Sequence, residues 1–214
     1  MRTMVFVDYW NLQLSLQHED AVAKGLNGAA FQQHRFNVDW FSLGPAITRL
    51  AIANASPDVA NPLQLTFQET RVYTSTNPAD KGYKQWATRT LGNRPGIRVF
   101  CLDRKPKRNP NCPSCHREMD ICPHCQAAIN ATQEKGVDTL LVTDLLRLGL
   151  DNSYDVAILV SQDADMAPAA EHLASKGIKV IHAGIRHFGN GVGQKCWASF
   201  DLFAHRGQIQ RGIA

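Results

Sequence analysis

Long apolar runs are missing from this 214-residue chain. A helix that crosses a bilayer needs about 20 consecutive apolar residues. The opening apolar stretch, Val5-Phe6-Val7, meets an acid at Asp8 almost at once, so neither a membrane protein nor a secreted precursor is expected. A dominant charge is missing too. Lys and Arg number 23 against 19 Asp and Glu, and so mild an excess does not by itself call for a polyanionic partner. No internal repeat and no low-complexity segment is evident, which leaves a globular reading. What remains is an ordinary composition, 44% hydrophobic and 20% charged, sufficient for one main domain with one good core. Six cysteines are present, four of them between residues 112 and 125. In a chain without an export signal, such crowding reads as metal ligation in a reducing cytoplasm rather than a disulfide framework.

Short β-prone runs alternate with helical spacing along the chain. Val5–Val7, Leu65–Tyr73, Ile97–Leu102, Asp155–Val160 and Ile178–Ile181 read as strands. Leu43, Ile47 and Leu50 set one helix, and Tyr83, Trp86, Ala87 and Leu91 another. Val137, Leu141, Leu145 and Leu148 form a third that Gly149 ends, and Met166, Ala169, Ala170 and Leu173 a fourth that Gly177 ends. Parallel neighbours need crossover helices on both faces, so the alternation predicts a three-layer, Rossmann-like α/β fold with a mostly parallel five-stranded sheet. Residues 103–126, rich in Cys, Pro, Arg and Lys, read as an insertion at the end of the third strand. Trp197–Phe203 is expected to close the domain as a helix at about residue 205, with 206–214 a fraying tail.

Four carboxylates fall where such a sheet binds ligands. Asp8 ends the first strand, Asp163 and Asp165 follow the fourth, and Asp138 opens the helix that leads into it. Alone, Asp138 or Asp165 would be an ordinary helix cap. Together, at about 4 Å, each pair would repel by roughly 4 kcal/mol at an effective dielectric near 20, which a cation relieves. Oxygen donors with no histidine nearby favour Mg²⁺ or Mn²⁺. Such an ion lowers the pKa of a bound water and suits phosphodiester hydrolysis without a protein nucleophile.

These segments carry a resemblance. Phe6-Val7-Asp8-Tyr9-Trp10-Asn11, Lys135-Gly136-Val137-Asp138 through Asp144-Leu145, and Tyr154 through Ser161-Gln162-Asp163-Ala164-Asp165-Met166 resemble the NYN-domain family, a LabA-type branch of the PIN-like ribonucleases. The resemblance covers residues 3 to about 203, apart from the cysteine insertion. It implies strand order 3-2-1-4-5, metal-dependent RNA cleavage leaving 5′-phosphate and 3′-hydroxyl ends, and a pocket at Asp8, Asp138, Asp163 and Asp165. Asn11 and Ser161 fall at supporting positions, and pairing into a homodimer is compatible with it. Asp144 also matches, but six residues along a helix place it about 120° from Asp138, a supporting or structural rather than a ligating position. Two departures are Gln162, where the family turn carries Gly, and the bulky Tyr9-Trp10 pair. Gln162 would be strained if its φ were positive, and Trp10 either packs in the core or offers a face for base stacking.

Cys112-Pro-Ser-Cys115 and Cys122-Pro-His-Cys125 are six residues apart, a spacing that predicts a structural four-thiolate Zn²⁺. Disulfide or redox chemistry is the weaker alternative. Beside them, Arg104, Lys105, Lys107 and Arg108, with Lys135 further on, predict a nucleic-acid-binding patch suited to single-stranded RNA, against a plain solvated loop. Thr74 to Asn77, and Arg186 with Gly189 to Gly193, offer weaker phosphate contacts. The leading expectation is a Mg²⁺- or Mn²⁺-dependent endoribonuclease. The alternative is a catalytically inactive RNA-binding or protein-recruiting module that uses the zinc knuckle.

Overall fold

The computed structural model describes residues 1–58, 60–186 and 190–212. In chain order its elements are β1 Arg2–Asp8, α1 Tyr9–Ala23, α2 Gly28–Gln33, α3 Leu43–Ala55 and β2 Thr66–Thr76. Then follow α4 Lys81–Gln85, continued by a π-helical turn Trp86–Leu91, β3 Ile97–Asp103, β4 Lys105–Pro106 and β5 Thr132–Gln133. The last part holds α5 Val137–Leu150, β6 Val156–Val160, α6 Ala167–Ser175, β7 Lys179–Gly184, β8 Ala198–Asp201 and a 3₁₀ turn Phe203–Gln208.

Six strands form one parallel sheet in the order β3-β2-β1-β6-β7-β8. Side chains alternate across it with the period of two that a strand imposes. Val5, Val7, Ile158, Val160 and Ile181 face Leu12, Leu16, Leu43 and Ile47 of α1 and α3. Phe6, Leu159 and Val180 face Leu141, Leu145 and Leu173 of α5 and α6 on the other side. Each of these burials contributes about 1.5–3 kcal/mol, and together they form the three layers that the alternation predicts.

The sixth strand is a correction. Trp197–Phe203 does not close the fold as a helix: Ala198–Asp201 pairs with β7, and the Trp197 and Leu202 amides donate to Val180 and Gly184 carbonyls. Without it β7 would present an unpaired backbone edge. Residues 206–210 do not fray either. The Arg206 guanidinium donates to buried Asp20 at 3.0 Å, Ile209 is fully buried, and Gln210 bridges Val38. Apolar Ile209, set among polar neighbours, gave too short a pattern to signal this.

The insertion is longer than residues 103–126. β4 and β5 pair antiparallel as its stalk, so it leaves the sheet at Arg104 and returns at Glu134. It also contains the repeat that composition did not reveal. Cys112 N donates to Arg117 O and His116 N to Cys112 O. Ten residues on, Cys122 N donates to Ala127 O and Gln126 N to Cys122 O. Bridges Asn111–Glu118 and Ile121–Ala128 close the two loops alike, and His116 (φ 57) and Gln126 (φ 58) take the same left-handed conformation. In the sequence only the two Cys-Pro-x-Cys segments repeat, and the surrounding residues differ.

Replacing Ile209 by Ala should cost about 3 kcal/mol, within the usual range for a buried aliphatic truncation. Urea denaturation measures it, and a loss below about 0.5 kcal/mol, the size of an ordinary surface substitution, would mean that the C-terminal segment is not part of the core.

Candidate active site

β1 pairs with β2 on one side and β6 on the other, so the crossover direction reverses beside it. In an open parallel sheet this reversal opens a crevice beyond the strand ends. Asp8, the last residue of β1, caps α1 by accepting the Asn11 amide at 3.2 Å. Asp163, just past β6, caps the following 3₁₀ turn by accepting the Asp165 amide at 3.0 Å. Asp138 lies in the first turn of α5, whose cap is not Asp138 itself but Gly136, at a φ of 85° that a side chain would strain. Asp8, Asp138 and Asp163 line one cavity of about 360 Å³ together with Glu134, Asn11, Ser15, Trp10 and Leu14.

Two of the acids, Asp8 and Asp138, are raised by burial and by neighbouring negative charge. The Asp8 carboxyl, 5% exposed, is pushed up to about 7 by burial and by the charges of Asp138, Glu134 and Asp163, against the opposing Asn11 hydrogen bond. Asp138, at the open rim, is also raised, by the water it loses on its inner side and then by Asp163, Glu134 and Asp165. Among the described residues none of Asp8, Asp138, Asp163 and Asp165 forms an ion pair with a cation of the chain. Asp165 is exposed and stands outside the cavity lining, acting on it only through its charge.

A hydrogen-bonded frame holds the two strand ends together. Asn11 Oδ1 accepts the Gln162 amide at 2.8 Å. The Ser161 hydroxyl donates to Asp8 Oδ2 at 3.4 Å, while its oxygen accepts the Asp163 amide at 3.2 Å. Gln162 is unstrained: it is absent from the left-handed residues among those described, and its Oε1 accepts the Ile185 amide at 3.0 Å. Asn11 and Ser161 therefore tie the ends of β1 and β6 to each other. Asp144 takes no part in this frame and holds the structural of its two expected places: it lies buried in a separate cluster, paired with Arg71 at 2.7 Å and Arg147 at 3.1 Å and accepting the Tyr73 hydroxyl at 2.9 Å. Burial opposes its charge, but the Arg71, Arg147 and Tyr73 hydrogen bonds outweigh that and hold its carboxyl below the ordinary value. Its role is to neutralise a buried arginine.

Glu134 was missed. It sits where the insertion's stalk returns to the sheet, accepting from the Ser75 hydroxyl and facing Arg104 at 3.8 Å. Its only signal in the sequence is its position four residues before Asp138. Arg104, expected in the nucleic-acid-binding patch, is half-buried: it donates to Ser75 Oγ at 3.0 Å and lies 5.6 Å above the Trp10 ring. Lys105, Lys107, Arg108 and Lys135 are exposed. Thr74, Ser75 and Thr76 are buried and do not form an open phosphate cradle. Arg186 is paired with Glu19 at 2.8 Å, and Gly189 lies outside the described residues.

The four cysteines stand as two couples. Backbone amides of Cys115 and Ser114, then the Cys115 side chain, hold the Cys112 thiol below its ordinary value. Cys125 and His124 do the same for Cys122. Among the described residues no three His, Cys, Asp or Glu side chains are gathered closely enough to grip one ion. The couples thus remain apart, and the carboxylates face a common cavity without closing on a centre. The donor chemistry fits a hard dication nonetheless: the cavity offers carboxylate oxygens and no sulfur or imidazole, and its acids carry an electrostatic penalty that positive charge would remove.

The NYN domain family model matches residues 2–194. Among solved structures, the chain is similar to a protein of unknown function from Vibrio parahaemolyticus, at 14% identity and a TM-score of 0.53, over 98% of this chain and 96% of that one. That likeness is one of fold. No curated protein matches.

The raised Asp8 carboxyl predicts how the metal-free protein responds to pH. Its ordinary value is 3.8 and its folded value about 7, so the folded state keeps a proton that the unfolded chain releases. Stability in chelator should therefore fall as pH rises from about 4 to 7, by a total on the order of 4 kcal/mol. Asp8→Asn should remove this slope, leaving a variant close to the native protein at pH 4 and more stable than it at pH 8. Thermal melts across that range check it, and identical slopes for the two proteins would contradict it.

Proposed function

The chain belongs to the NYN domain family, a family of PIN-like nucleases, and on that premise we propose that it is a ribonuclease that hydrolyses single-stranded RNA with Mg²⁺ or Mn²⁺. The observation that carries the reading is the convergence of Asp8, Glu134, Asp138 and Asp163 on one cavity at the switch point of the sheet. These residues would hold the dication, with Asp165 adding negative charge at the rim. When bound, the ion supplies Lewis acidity and neutralises charge on the scissile phosphate.

The chain's own groups do the rest. Asn11 and Ser161 fix the two strand ends so that Asp8 and Asp163 keep their positions, which lowers the reorganisation the reaction requires. Asp8, protonated near neutrality in the metal-free state, must give up that proton to serve as a ligand. Arg104, anchored to Ser75 at the cavity edge, and exposed Lys105, Lys107, Arg108 and Lys135 attract the phosphate backbone without reading sequence.

The insertion is proposed to bind one structural Zn²⁺ through Cys112, Cys115, Cys122 and Cys125. Two loops of the same hydrogen bonding, each presenting a thiol pair, support it, and bound metal would offset the entropy of a segment with little apolar burial. Metal analysis should find one zinc per chain, lost in Cys115→Ser. No zinc, or a mass deficit corresponding to two disulfides, would overturn it.

End-labelled single-stranded RNA incubated with Mn²⁺ tests the activity. Cleavage is expected to stop in excess EDTA and to fall by at least about 100-fold in Asp163→Asn, since loss of a ligand should exceed the 10- to 100-fold effect of losing an outer contact. Cleavage that survives chelation would remove the mechanism. RNA retained equally by both proteins with no turnover by either would favour the inactive binding module.

A further inference from the structure

A second cavity, of about 1000 Å³, opens beside the acidic one and shares Trp10 and Leu14 with it. Aromatic residues make up only 8% of the chain, yet three of its four tryptophans, Trp10, Trp40 and Trp86, line this cavity with Tyr9, Tyr83 and Phe36. The rings come from segments far apart in sequence. That explains why pattern reading singled out Trp10 alone.

The rings are held in place by neighbours. The Trp10 indole donates to the Ser75 carbonyl at 2.7 Å, and Tyr83 shares a 2.6 Å hydrogen bond with Thr74. Tyr9 stacks on Trp40 at 4.4 Å and Tyr83 on Trp10 at 5.3 Å. Trp10, Tyr83 and Trp86 are only partly buried, so ring surface stays open to the cavity. Trp86 begins the π-helical turn, an irregularity that occurs often at functional sites. The polar lining comprises Gln13, Gln17, Asn37, Arg35 and Arg211, with no acid, the opposite of the cavity next door.

We propose that this cavity seats unpaired nucleobases of the same RNA strand whose phosphodiester enters the acidic cavity. The bases stack on Trp10, Tyr83 and Trp86, Gln17 and Asn37 offer amide groups to base edges, and Arg35 and Arg211 take flanking phosphates. Stacking platforms lined by cations are how single strands are held without strict sequence reading. A volume at the upper end of ligand sites, about 300–1,000 Å³, leaves room for more than one base. Charge complementarity and continuity with the acidic cavity through Trp10 favour this occupant. The order of the strand across the two cavities rests on the nuclease reading, whereas binding of bases does not.

The test is tryptophan fluorescence of the full chain in EDTA, titrated with an eight-nucleotide oligoadenylate and with an abasic ribose-phosphate strand of the same length. Oligoadenylate is expected to quench saturably and the abasic strand to do so little or not at all. Trp86→Ala should weaken binding about tenfold, with recovery in Trp86→Phe, as loss and return of one stacking face predict. Arg211→Ala, at an exposed position, should weaken it with a smaller salt dependence. Equal quenching by the abasic strand, or unchanged affinity in both Trp86→Ala and Arg211→Ala, would overturn the proposal. So would quenching that tracks protein concentration without RNA, which would make the cavity a contact between copies of the chain. Base-dependent binding without Mn²⁺-supported cleavage would uphold this cavity and remove only the nuclease reading, while cleavage with unaltered KM in Trp86→Ala would do the reverse.

Discussion

Negative charge collects between the ends of β1 and β6, and among the described residues no cation of the chain pairs with Asp8, Asp138 or Asp163 there, Arg104 reaching only Glu134, at 3.8 Å. Burial and mutual repulsion push Asp8 up to about 7, a cost that packing alone gives no reason to keep. The contrast lies within the same fold. Asp144, equally buried, is surrounded by Arg71, Arg147 and Tyr73, so its charge is settled by the fold. The first cluster is left for something outside the chain to neutralise, and the second is internal structure. That difference separates a site from a scaffold more sharply than the number of acids does.

Topology brings the cluster about. β1 is the central strand at which the sheet order reverses, so residues following β1 and β6 meet at one crevice although 153 positions separate Asp8 and Ser161. Asn11 and Ser161 join these ends, and the stalk of the insertion adds Glu134 from a third direction. The insertion is thereby more than an appendage. Its base carries Arg104 and Glu134, linked through Ser75, and couples the cysteine loops to the acidic cavity and to Trp10.

Much of this was legible in the sequence because short-range patterns carried it. The apolar runs and helical spacings gave the parallel sheet and its layers, and Asp8, Asp138 and Asp163 were readable from their places at element ends. What escaped depended on contacts between distant segments. β8 is an edge strand whose pattern resembles a short amphipathic helix, and only pairing with β7 decides the outcome. Ile209 is apolar but solitary. Glu134 looks like a surface acid until the β4–β5 stalk returns it to the crevice. The aromatic cavity is assembled from residues 9–10, 36–40, 83–86 and 211–212, a set without sequence periodicity. Asp144 matched a pattern, yet its buried arginine partner on β2 changes its meaning.

The most direct test of the account is anomalous scattering from crystals soaked in Mn²⁺ at near-neutral pH. A manganese peak bounded by Asp8, Asp138 and Asp163 is the result the account predicts, with Glu134 near it and Asp144 remote. Ordered carboxylates around an empty cavity at millimolar Mn²⁺, or a peak elsewhere on the surface alone, would contradict it.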